Sequence, residues 1–112
     1  MSDGGDEVGC LAGKVMECAT LLHGAAMRAA GFRPSPIRTA DDVIEAADLY
    51  EFNHRLPPVL RLVYTYLRDA AELCRRASGE AAQEVREAAL RGALRSTDQA
   101  VFVYERAVMR SR

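Results

Sequence analysis

Four carboxylates recur at every third position of one segment, and side chains with that spacing could bind a divalent cation. They are Asp42, Glu45, Asp48 and Glu51. On a helix, residues three apart share a face, and carboxylate oxygens are ligands that Mg²⁺ accepts. Glu84 and Glu87 offer a second acidic pair. This pattern supports one alternative function, a small all-α metal-dependent hydrolase, whose Tm should rise when Mg²⁺ or Mn²⁺ binds the native state.

The histidines and cysteines provide no complete catalytic set. Glu51 and His54 have the spacing of di-metal helical bundles, but each such site needs two copies and two further glutamates. His54 is interpreted instead as a polar residue in the last turn of a helix. Cys18 and His23 are five residues apart, so one helix does not bring a thiol and its base to one face. We assign no catalytic residue, cofactor or metal ligand, and favour a protein that is not an enzyme.

The charges are divided unevenly along the chain. Residues 1–56 hold nine acidic and five basic residues, residues 57–112 hold seven acidic and ten basic residues, and the net charge is −1. A weak nucleic-acid-binding role is a further alternative, but acidic residues interrupt the basic half, whereas phosphate binding favours an uninterrupted basic face. The asymmetry more simply predicts acidic helices packed against basic ones.

The composition limits the class of protein. With 112 residues, 49% of them hydrophobic and 28% charged, a disordered chain is excluded and one domain is expected. Nineteen alanines, four prolines and no tryptophan favour helices that pack closely.

The cysteines predict a reducing compartment. Cys10 and Cys18 would lie about 12 Å apart on one helix, too far for a disulfide, and Cys74 leaves an odd number. The N-terminus is acidic where an export signal would be basic, and the chain lacks the roughly 20 apolar residues that span a bilayer. We therefore expect reduced thiols, a cytoplasmic location and no membrane contact.

Apolar periodicity predicts an antiparallel four-helix bundle, all-α, with a long C-terminal helix. Residues 1–7 are expected to form a disordered tail and residues 8–112 a single helical domain. The expected helices are 8–30, 39–56, 57–77 and 80–110. Gly31 should end the first helix, and Thr39 with Asp42 should form a capping box at the start of the second.

The last helix carries the most regular pattern. Three series with a period of seven give it an apolar stripe lined with alanine; they are Leu90, Thr97 and Tyr104, then Leu94, Val101 and Val108, then Ala93, Ala100 and Ala107. Such a stripe is typical of a close helix contact. The register fails before Leu90, and Gly92 lies near the change. Either the helix bends there, or its first third packs against a different partner.

This pattern predicts a non-catalytic protein–protein interaction module, such as a small adaptor, assembly factor or complex subunit. Phe102 lies off the stripe and could enlarge a contact surface. The predicted interface residues are Leu94, Val101, Phe102, Tyr104 and Val108. The expected partner is another protein or a second copy of the chain, which would form a homodimer.

Overall fold

The computed structural model describes residues 3–110, and the side chains of residues 9–109. Within this part of the chain there are four α-helices and no strand: α1 (Asp3–Ala30), α2 (Ala40–Tyr50), α3 (Pro58–Ser78) and α4 (Gln83–Arg110). The all-α class, the helix number and the long C-terminal helix, of 28 residues, are confirmed.

Three helix boundaries differ from the sequence-based ones. The helix α1 begins at Asp3 rather than Val8, and α4 begins at Gln83 rather than Glu80. The break between α3 and α4 is therefore longer than the two residues expected. Residues 3–7, expected to belong to a disordered tail, are the beginning of α1, while Met1 and Ser2 lie outside the described residues.

The second helix is shorter than expected because a turn at Asn53 replaces its predicted last turns. The Asn53 carboxamide oxygen accepts from the Arg55 N–H at 2.9 Å, and the Leu56 N–H donates to the Asn53 carbonyl at 3.0 Å. Polar side chains of this kind compete with helical hydrogen bonds. His54 lies exposed in this turn, so its expected place in the last turn of a helix is wrong.

Both predicted helix signals around the first connection are confirmed. Gly31 has φ +79°, and the N–H groups of Gly31 and Phe32 donate to Arg28 and Met27 carbonyls, which is a Schellman motif. Thr39 caps α2 in a capping box with Asp42. Backbone N–H groups that donate to the Asp42 carboxylate lower its pKa.

The third helix lies between α2 and α4 and runs antiparallel to both. Asp41 near the start of α2 pairs with Arg75 near the end of α3, while Glu51 after α2 pairs with Arg68. These contacts confirm that an acidic helix packs against a basic one. On the other side, a Cβ added at Gly92 of α4 would lie 3.3 Å from the Leu73 side chain, so the two backbones approach closely there.

The first helix packs mainly against α4 and runs in the same direction, so this pair departs from the antiparallel arrangement expected for the bundle. Cys18 lies beside Thr97, and Ala29 lies near Val108. Residues 31–39 return along α1 before α2 begins, and residues 34–37 line a cavity together with residues of α1.

Candidate functional site

The alanine-lined face of α4 is an internal packing surface. Leu90, Ala93, Thr97 and Ala100 are buried, and the clusters that contain Ala93 and Ala100 also include residues of α1 and α3. This face is therefore not free to bind a partner, because two helices of the same chain already cover it. At the start of α4, Val85 is 48% exposed, and a second packing partner for this part of the helix stays a prediction.

The five predicted interface residues differ in exposure. Phe102 is 54% exposed, and the Arg106 guanidinium carbon lies 5.4 Å from the centroid of its ring. The other four are half-buried; they are Leu94, Val101, Tyr104 and Val108. Their role in binding stays a prediction.

An open apolar groove lies between α1 and α4, beside the buried face. We call it the α1/α4 groove; it has a volume of about 400 Å³, and its lining residues are Lys14, Glu17, Cys18, Leu21, Leu22, Ala25 and Val101. Leu21 is 67% exposed although its neighbours in the groove are apolar. The sequence analysis named Val101 but not Leu21, because the groove exists only where α1 and α4 pack against each other.

Charged side chains lie on the rim of this groove. Burial raises the pKa of the Cys18 thiol, and the Asp98 and Glu17 carboxylates raise it further. Cys18 is therefore a neutral thiol that contributes to the apolar surface. Glu17 and Lys14 are among the lining residues of the groove, and Asp98 lies near Cys18.

A second apolar depression lies near the end of α4. It has a volume of about 310 Å³ and is lined by Ala29, Pro57, Val59, Leu60, Tyr104, Ala107 and Val108. Both predicted interface residues near the end of α4, Tyr104 and Val108, are among these lining residues. The two depressions share no lining residue.

A buried polar cluster forms on the other side of α1. His23 is 2% exposed; its Nδ1 lies 2.7 Å from the Tyr64 hydroxyl, and its Nε2 lies 3.1 Å from the Ser35 hydroxyl. The Tyr50 ring lies 5.4 Å from Tyr64 and 6.0 Å from Phe32, between ring centroids. The cluster therefore joins α1, α2, α3 and the connector. Sequence reasoning missed it because His23 and Tyr64 are 41 residues apart.

The chain of Ser35, His23 and Tyr64 has the outline of a nucleophile, a base and an orienting group. For His23 to accept the Ser35 proton, Nδ1–H must donate to Tyr64, and the buried Tyr64 O–H is then left without an acceptor. The opposite tautomer satisfies every group: Tyr64 donates to Nδ1, and Nε2–H donates to Ser35. Because an unsatisfied buried hydroxyl costs about 1–3 kcal/mol, we assign the second tautomer, in which Ser35 is not activated.

The carboxylates of α2 are engaged in contacts with the protein itself. The Arg68 guanidinium contacts both Asp48 and Glu51, and Asp42 accepts two backbone N–H groups. Among residues 9–109, whose side chains the structure describes, no three histidine, cysteine or acidic side chains are grouped so that they could hold a metal ion. The metal-dependent alternative therefore gains no support from the geometry of α2.

No helix in the described part of the chain has both the length and the apolar character that crossing a membrane requires. Comparisons of the chain with models of protein families, with curated proteins and with solved structures gave no match.

Proposed function

We propose that the chain is a non-catalytic protein–protein interaction module, a small adaptor, assembly factor or complex subunit, that binds an amphipathic helix of another protein in the α1/α4 groove. The observation that carries this proposal is the exposure of Leu21 beside a groove whose walls are mostly apolar. A partner docked there would remove apolar surface from water, which favours binding by about 25 cal/mol for each Å² buried.

The dimensions of the α1/α4 groove support a helical occupant. Its lining residues on α1 run from Lys14 to Ala25, a distance of about 16 Å at 1.5 Å per residue. That length matches about three turns of a helix, and the ridge of one helix packs well into the groove between two others.

The rim charges support a basic partner. Glu17 and Asp98 lie beside Cys18, so arginine or lysine residues that flank the apolar stripe of the bound helix could form ion pairs with these carboxylates. We also propose a cytoplasmic location, which three free thiols, Cys10, Cys18 and Cys74, support.

The binding test uses two synthetic helical peptides with the same leucine stripe, one flanked by lysines and the other by glutamates. We expect the basic peptide to bind at least about ten-fold more tightly, a difference of ~1.4 kcal/mol, by fluorescence anisotropy. Leu21→Asp should weaken this binding by a similar factor. The matched control is Leu49→Asp on α2, where the leucine is 63% exposed but lies away from the groove.

Any of three outcomes would contradict the proposal. The first is that neither peptide binds, and the second is that Leu49→Asp weakens binding as much as Leu21→Asp does. The third is that light scattering gives a dimer that Leu21→Asp dissociates. The last result would assign the groove to a second copy of the chain. Phe102→Asp tests the outer face of α4: unchanged affinity in that variant would remove Phe102 from the binding surface.

A further inference from the structure

The connector of residues 31–39 bonds to one buried titratable group of α1. His23 is 2% exposed, and its Nε2 bonds to Ser35 in the middle of the connector. The helices α1 and α2 make few direct contacts with each other. The bond to Ser35 and the packing of Phe32 and Ile37 against the core therefore attach the connector to this side of the bundle.

The groups that face His23 are neutral, with one cation nearby. Tyr64 approaches it from α3, Tyr50 from α2 and Ser35 from the connector. Arg28 of α1 lines the same cavity of about 380 Å³. No carboxylate is among the described residues that line it. A charged imidazolium would thus be buried without a counter-ion and close to a guanidinium.

Protonation also breaks the hydrogen-bond pattern of the cluster. The neutral ring accepts from the Tyr64 hydroxyl at Nδ1, whereas the imidazolium has only donors. The Tyr64 O–H would then meet a second donor at 2.7 Å. Moving the ring toward solvent would relieve both conflicts, and the bond to Ser35 would be lost with that movement.

We propose that residues 31–39 form a pH-sensitive latch, closed while His23 is neutral and released when His23 takes up a proton. Burial lowers the pKa of His23, so the folded chain keeps the neutral form at neutral pH. The latch is fully closed above about pH 6.5, which is the ordinary pKa of a histidine side chain. It loosens as the pH falls through that value toward the lowered pKa of the folded state.

The release has a defined structural consequence. The exposed hydroxyl of Ser35 would leave His23, and the connector side chains Phe32 and Ile37, which pack against the core, would be uncovered. The helix α3 would stay folded, because its contacts with α4 do not involve His23.

The test is NMR of the ¹⁵N-labelled full chain between about pH 8 and about pH 5, where histidine titrates. The amides of Phe32, Ser35 and Ile37 should lose order, from order parameters near 0.85 to below about 0.6. The amides of α3 should not change. The midpoint should coincide with the C2-proton titration of His23. His54→Gln, which removes the exposed histidine, is the matched control and should leave this transition unchanged.

His23→Gln should abolish the pH dependence. Three results would overturn the latch: connector amides that stay ordered at pH 5, connector and α3 amides that lose order together, or a transition that follows His54. If His23→Gln does not fold, the test is whether, in the unmodified chain, the midpoint of the connector transition coincides with the midpoint of the His23 titration.

Discussion

Tyr64 shows how a single hydroxyl can organise the inside of a helical bundle. Its side chain is fully buried, and burial raises the pKa of the hydroxyl, so it stays protonated and serves as a donor. Its acceptor is His23 Nδ1 at 2.7 Å. A core made only of alkyl groups would leave that nitrogen buried without a partner.

We expect Tyr64→Phe to lower the free energy of unfolding by about 1–3 kcal/mol, since it leaves His23 Nδ1 buried and unsatisfied. Urea denaturation at neutral pH measures this loss. The control is Tyr66→Phe, on the same helix but half-buried, which should change stability by less than about 0.5 kcal/mol. Equal losses in the two variants would contradict the assigned role of the Tyr64 hydroxyl.

At the scale of elements, α2 is attached to α3 by ion pairs of unequal burial. Arg68 is 24% exposed and Glu51 10% exposed where they meet, and Thr65 donates to the other Glu51 oxygen. The Arg75 pair with Asp41 is 60% and 70% exposed. Charges in the first pair are shielded from water and salt, while those in the second are not.

Arg68→Met should therefore destabilise the protein by about 1–3 kcal/mol, because the Glu51 carboxylate stays largely buried without its cation. Arg75→Met should cost less than about 1 kcal/mol. Both variants keep the alkyl part of the side chain, so thermal unfolding compares the charges alone. A larger loss in Arg75→Met would show that burial does not set the strength of these pairs.

For the whole molecule, the nineteen alanines determine how closely the helices approach. Ala93 is fully buried in a cluster with Val15 of α1 and Ala70 of α3. A methyl group at such a point lets three backbones converge. The buried core, which runs from Val15 to Ala100, thereby closes with few large side chains.

Ala93→Leu should push the helices apart and cost about 1–3 kcal/mol. Ala88→Leu, on the exposed side of the same helix, should be nearly neutral because leucine is a good helix former. Chemical denaturation compares the two variants. An Ala93→Leu protein as stable as the unmodified chain would mean that the helix contact at Ala93 has space for a larger side chain.

The sequence by itself determined the elements of this protein. Apolar periodicity is local, and so are the signals at Thr39 and Gly31; these predicted four helices, a capping box and a helix end that the structure contains. The seven-residue pattern of α4 also identified a buried stripe, since spacing alone fixes which side chains share a face. The end of α2 was placed too late because the Asn53 turn depends on specific hydrogen bonds.

Only the tertiary structure decided which surfaces meet. It covered the alanine-lined face of α4 with α1 and α3, left Leu21 at the edge of a groove, and brought His23 to Tyr64 and Ser35. These outcomes depend on the return of residues 31–39 along α1, which sets the direction of α2. Contacts between distant residues follow from the way the helices pack together, and periodicity along one helix carries no information about its neighbours.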